Sequence, residues 1–133
     1  METATKTLRL RGDLRSEIEQ IAKRKHRSFS EVTQDLIEEA LKIRKCPGIY
    51  FADEPAGREA KIMGTGLGVW EVISVQKEVS KNERALHSCF HWLNEAQIKA
   101  ALLYYARYPA EIDELIAENA AIAEELRGKS HTR

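Results

Sequence analysis

The sequence predicts a mainly α protein with short β elements, in two parts. Residues 1–45 read as strand, helix, helix, and residues 46–133 as a β-hairpin followed by a helical domain with a long last helix. Three observations carry that prediction. The stretch "TKTLRLRGDL", Thr5 to Leu14, alternates apolar and polar side chains with the period of a half-buried strand. From Leu14 to Lys45, apolar residues recur at three- and four-residue spacing, the pattern of amphipathic helices. At "RKCPG", Pro47 and Gly48 break that pattern, and β-rich pieces follow.

In an extended chain Leu8 and Leu10 fall on one side, with Thr7, Arg9 and Arg11 on the other. No second strand follows before Ile49, and a lone strand leaves its backbone donors and acceptors unpaired. The expected partner is therefore the same segment of a second chain. Gly12 and Asp13 begin the first helix, with Asp13 expected as its cap. Leu14, Ile18, Ile21 and Ala22 form its inner face, while Arg15, Glu17, Glu19 and Lys23 stay outside. The run "KRKHR", Lys23 to Arg27, closes it, placing cations at the negative end of the helix dipole. The second helix opens at "SFSEV". Ser28 and Glu31 have capping-box spacing, with Ser30 as a competing cap. Val32, Leu36, Ala40 and Leu41 give it an apolar face. Two short helices and one strand enclose too little by themselves, but a twin across a two-fold axis supplies the missing half. The expected dimer core is Leu8, Leu10, Ile18, Ile21, Val32 and Leu36.

Residues 5–45 resemble the ribbon-helix-helix family of the Arc and MetJ repressors, through "TLRLR", the helix bearing Leu14, Ile18 and Ile21, and "RSFSEV". The resemblance implies a paired ribbon that enters the major groove of double-stranded DNA. Base reading then maps onto Thr7, Arg9 and Arg11, and phosphate holding onto the helix start at Ser28, Phe29 and Ser30. Charge agrees. Lys6 to Arg27 carries 8 basic and 3 acidic side chains, although Glu2 and Asp13 bring negative charge close to the ribbon. Residues 1–45 net +3 and residues 46–133 net −3, so the formal charge of zero conceals two surfaces suited to different partners.

In the second part, Ile49–Ala52 and Arg58–Met63 are expected to pair around a turn at Pro55 and Gly57. "GVWEVISVQKE" makes a helix with Val69, Val72 and Ile73 inward. "SKNERALH" makes another, with Ser80 and Glu83 as its capping box and Ala85 and Leu86 inward. "NEAQIKAALLYYARY" starts at an Asn94 cap and buries Ile98, Ala101, Leu102 and Tyr105. After Pro109, a last helix from Ala110 to Arg127 aligns Ile112, Leu115, Ile116, Ile122 and Leu126, ending before Gly128. Asn119 interrupts that stripe, as polar residues do at seams that select a partner. Packing of the stripe on its own domain is the competing expectation. The tail "GKSHTR" is expected to fray.

The runs "REAKIMGTGLGVWEVI" and "WLNEAQIKAALLYYARYPAEID" resemble a small family of unknown function over residues 47–116. Its members resemble VapB-type antitoxins, encoded beside PIN-domain ribonuclease toxins, and the resemblance implies a helix-turn-helix-like helical domain after the β-hairpin. The resemblance implies a toxin-binding partner surface, assigned here to Ile112, Leu115, Asn119, Ile122 and Leu126. Gly66 and Gly68 depart from the larger polar residues of many members, and "HSCFHW" replaces an acidic-aromatic turn.

Other chemistries fit less well. "GTGLG" follows a strand and precedes a helix, but it lacks the GxGxxG spacing and has no Lys-Ser/Thr pair for a phosphate loop. A tight turn feeding a helix explains it. His87, Cys89 and His91 alternate in "HSCFHW", yet only Cys46 remains as a fourth zinc ligand, so core or rim placement is expected instead. The helix Asn94–Tyr108 sets Lys99 and Arg107 against Glu95 in a net negative half, which favours protein contact over DNA. Neither catalysis nor a cofactor is expected. Apolar residues at 43% and charged residues at 32%, with no run of eighteen apolar residues, predict a folded cytoplasmic protein that does not enter membranes. The functional expectation is a homodimeric, or higher, DNA-binding antitoxin. A stand-alone repressor is the alternative, its second half making protein contacts or sensing a ligand.

Overall fold

The computed structural model describes residues 3–80 and 82–131 of the chain. Among them run six helices and one antiparallel hairpin: α1 (Gly12–Lys25), α2 (Phe29–Lys45), β1 (Ile49–Glu54), β2 (Gly57–Ile62), α3 (Val69–Glu78), α4 (Glu83–Cys89), α5 (Glu95–Arg107) and α6 (Pro109–His131). The mainly helical class with one short hairpin is as the sequence predicts. The chain divides into two units, the first reaching to Lys42 and the second beginning at Ile43. Glu2, Lys81, Thr132 and Arg133 lie outside the described residues.

In the first unit, residues 3–11 carry no strand pairing within the single chain. The backbone is extended where it enters α1, with Arg11 at φ −60° and ψ 148°. Asp13 is not the cap: Arg11 occupies that position without a side-chain bond, and Asp13 lies in the first turn. The physical reason is that the helix already begins at Gly12, so Asp13 lies inside it and its carboxylate pairs with the Arg11 guanidinium instead. α1 ends at Lys25, two residues before the basic run does. His26 turns into the left-handed region at φ 54°, and the Arg27 amide donates back to the Ala22 carbonyl at 3.0 Å. Ile18, Ala22 and Val32 are buried, and Leu10, Ile21 and Phe29 pack against them. Leu8, Leu14, Leu36, Ile37 and Leu41 are exposed.

The second unit holds the larger core. β1 and β2 pair in register from Ile49↔Ile62 to Glu54↔Gly57, joined by Pro55 and Ala56. Each strand therefore runs to the turn, with β1 two residues longer than expected. Proline fixes φ at the first turn position, and Gly57 accepts φ 128°. Ile49, Ala60 and Ile62 face inward to meet Val69, Val72 and Ile73 of α3, and Ile98, Ala101 and Tyr104 of α5. α6 packs on α3 and α5 through Ile112, with Leu115 and Ile116 half-buried beside it. The α5 face is rotated relative to the expectation. Tyr104, not Tyr105, is fully buried, because Tyr105 reaches outward to donate to Asp113 at 2.8 Å.

Two further expectations are corrected. Asn82 caps α4, its side chain accepting from the Ala85 amide at 3.1 Å. Ser80 cannot serve, since it takes a left-handed φ of 53° just past the end of α3. α6 does not stop before Gly128 but continues to His131, so the expected fraying of Gly128–His131 is overturned. Glycine in a helix interior costs about 1 kcal/mol, too little to end a run of good helix formers.

Tyr104 donates its hydroxyl to the Glu111 carboxylate and stacks near Phe51 and Tyr108. Burial first, then the Glu111 carboxylate, pushes this phenol well above the ordinary tyrosine range. Below about pH 10 the phenol is neutral in both folded and unfolded chains; above it only the unfolded chain ionises. Stability should therefore fall as pH rises past about 10. Titration followed at 295 nm should show one of the four tyrosines ionising only on unfolding, and Tyr104→Phe should flatten the alkaline fall.

Candidate nucleic-acid interface

The local chemistry of residues 5–35 decides which donors are available to a nucleic acid. Thr7, Arg9 and Arg11 are exposed on the segment that leads into α1. Leu10, next to them, turns in against the small core, whereas Leu8 is 68% exposed. A segment that half-buries one of its two leucines and exposes the other has an apolar position still open to a partner. Arg9 makes no ion pair among the described residues, but Arg11 does. Its Nε and Nη2 donate to the two Asp13 carboxylate oxygens at 3.1 and 3.3 Å. Both side chains are well exposed, 74% and 65%, so the pair is a solvated one.

The start of α2 is built as the sequence predicts. The Glu31 amide donates to Ser28 Oγ at 3.1 Å, and the Ser28 amide and hydroxyl donate to Glu31 Oε1 at 3.4 and 3.0 Å. That is a capping box, and Ser28 wins the competition with Ser30. Ser30 instead accepts from Gln34 Nε2 at 3.2 Å. Phe29 is half-buried against Ile18 and Val32, which pins the turn between the helices. The first-turn amides of Phe29 and Ser30 have no acceptor inside the helix, so they are the donors left for a phosphate.

Arg27 was not among the expected site residues, although its spacing to Glu31 and Asp35 was open to reading. Its guanidinium pairs with Glu31 at 3.1 Å and with Asp35. Hydrogen bonds to Glu31 and then Asp35 raise its pKa further, while Arg27 and Ser28 hold the Glu31 carboxyl below its usual range. One carboxylate thus satisfies the cap, the arginine and part of the helix dipole. Lys23, Arg24 and His26 line a shallow open depression with Gln20 at the C-terminal end of α1. The basic character of this unit therefore sits on both ends of α1 as well as on the leading segment.

The residues assigned to partner binding divide in two. Ile112 is buried, and Leu115 is half-buried in the second unit's own core. Asn119 donates its amide to the Leu115 carbonyl at 2.8 Å, closing a local bond within α6. Ile122 and Leu126 are exposed, at 51% and 61%. Own-domain packing therefore accounts for the first half of the stripe, and the second half is left open.

The glycine loop is a turn held by its own side chains. Thr65 Oγ1 donates to the Ile62 carbonyl at 2.8 Å and accepts from the Leu67 amide at 3.0 Å, and Tyr50 donates to the Thr65 carbonyl at 2.7 Å. The Gly68 amide donates to Glu71 at 2.7 Å, so a carboxylate already occupies the start of α3. A Cβ at Gly68 would meet Trp70 Cδ1 at 2.8 Å, and Trp70 itself donates to Glu59 at 3.0 Å. The glycine at 68 is thus a packing requirement that the sequence alone did not reveal.

His87, Cys89 and His91 are exposed rather than core-lining, while Phe90 and Leu93 between and beyond them are buried. Cys46 is fully buried. No group of three or more His, Cys, Asp or Glu lies close enough among the described residues to hold a metal ion. Among those residues no helix is long and apolar enough to cross a membrane.

Ser28→Ala should lower the stability of the first unit by about 1 kcal/mol, because the Glu31 amide loses its acceptor. Amide exchange should speed up at Phe29–Val32 but not in α3–α6. No family model, curated protein or solved structure matches this chain.

Proposed function

We propose that the chain is an antitoxin of a toxin–antitoxin pair. In this reading residues 1–45 of two copies form a shared ribbon that binds the operator DNA of its own transcription unit. Residues 46–133 bind and neutralise a partner toxin of the PIN-type ribonuclease class, in the cytoplasm. The observation that carries the reading is the exposure of Leu8 on the non-helical segment before α1, which also bears the exposed Thr7, Arg9 and Arg11. A second copy of the same segment would cover the leucine, pair the backbone and leave the arginines facing outward. The exposure of Leu14, Leu36, Ile37 and Leu41 on α1 and α2 supports the same arrangement, since a four-helix dimer would cover such side chains.

The paired ribbon fits the major groove, where an arginine fork reads guanine and threonine reads either base class. The α2 starts of both copies would meet phosphates through the Phe29 and Ser30 amides. The toxin arm is supported by Ile122 and Leu126, which α6 carries beyond its own core, and by the net −3 charge of residues 46–133. A net negative half favours protein contact over phosphate binding.

Duplex binding should weaken steeply with salt, and Arg9→Ala should reduce the slope of log K against log salt by about one for each copy and relax base preference. Absence of any mobility shift at low salt would refute the DNA arm. The toxin arm is tested by expressing the adjoining reading frame with and without this chain. Toxicity that this chain silences supports it, and a harmless neighbour leaves the stand-alone repressor as the better account.

A further inference from the structure

We propose that Asp13 is an intramolecular competitor for the Arg11 guanidinium and thereby sets both the strength and the selectivity of DNA reading. The inference rests on the DNA-binding reading above. Asp13 offers two carboxylate oxygens to the Nε and Nη2 edge of Arg11, at 3.1 and 3.3 Å. An arginine that reads guanine presents a two-donor edge to O6 and N7, so the carboxylate and the base compete for the same fork. The competitor is built into the chain. Arg11 is the last extended residue before α1, and Asp13 is the second residue of that helix, so the helix start keeps the carboxylate within reach.

Among the described residues Asp13 has no other bond that requires its charge. It makes no cap, and its favourable position in the first turn of α1 is a small, solvent-screened effect. Arg9, two residues earlier, has no such carboxylate partner among the described residues, so the two arginines of the ribbon are unequal. Arg9 would engage any duplex readily. Arg11 would leave the solvated Asp13 pair most readily where guanine O6 and N7 engage both donors of the fork, which a mismatched base does not offer. Because the Asp13 pair is solvated, it attenuates binding rather than blocking it: up to about fivefold for each copy, and up to about 25-fold for a two-fold reader.

The test compares wild type, Asp13→Asn, Glu17→Gln, Arg11→Ala and the Arg11→Ala/Asp13→Asn double variant. Each is measured by fluorescence anisotropy on a random-sequence duplex of about 20 base pairs, and by sequence enrichment from the same pool. Thermal melts check that each variant is folded. Glu17→Gln removes an equal charge from α1 without touching Arg11. The proposal expects Asp13→Asn to tighten binding several-fold more than Glu17→Gln and to reduce the enrichment of guanine. It also expects the gain to vanish when Arg11 is alanine. Equal effects of Asp13→Asn and Glu17→Gln, or a gain that persists without Arg11, would overturn it while leaving DNA binding intact. Failure of every variant, wild type included, to bind the duplex would refute the DNA-binding reading and this inference with it.

Discussion

Three buried side chains, Ile18, Ala22 and Val32, are the whole interior that the described part of the first unit makes within one chain. That constraint governs the rest of the account. Ordering two helices and a leading segment costs backbone and side-chain entropy that so small an interior does not offset, and the apolar surface left over is specific in its placement. It lies at Leu8 on the segment, at Leu14 on α1, and at Leu36, Ile37 and Leu41 on α2. The second unit has no such deficit. Its hairpin, α3, α5 and α6 close around Tyr104 and a continuous apolar core, although Met63, Trp92, Leu103, Ile122 and Leu126 stay exposed.

Carboxylates set the character of the basic surface. Asp13 holds Arg11, Glu31 holds Arg27 and the Ser28 amide, and Asp35 adds to the same arginine. The count of basic residues overstates the free positive charge, because these pairs are local and arise from spacings of two, four and eight residues. A surface arranged this way would bind an anion only by exchanging one partner for another. Its contribution to selectivity then depends on how well the new acceptor matches the old one.

The sequence made much of this legible where one physical rule dominates. Helical periodicity located α1 to α6, the capping-box spacing gave Ser28 and Glu31, the Asn94 cap held, and the turn at Pro55 and Gly57 stands. Expectation and structure part where two local rules compete. Asp13 has the residue type of a cap but lies inside a helix that begins at Gly12, and Ser80 has capping-box spacing but takes a left-handed turn just past α3. Gly128 looked like a stop, yet one glycine is outweighed by its neighbours. On α5 both Tyr104 and Tyr105 fit the apolar stripe, and only the position of Glu111 and Asp113 on α6 decides which is buried. The role of Gly68 was illegible because it depends on where Trp70 comes to rest. Of the candidate site, the residue types were readable and their occupancy by neighbouring carboxylates was not.

The central claim is that the first unit is completed by a second copy through the segment bearing Leu8. Sedimentation equilibrium of the full chain, alongside Leu8→Glu, tests it most directly. The account predicts a mass of twice the chain or more at micromolar concentration for the wild type, protected amides at Thr7–Arg11, and a shift toward monomer with loss of that protection for Leu8→Glu. A wild-type chain that stays monomeric across the concentration range, or a Leu8→Glu variant that associates as strongly as wild type, would contradict it.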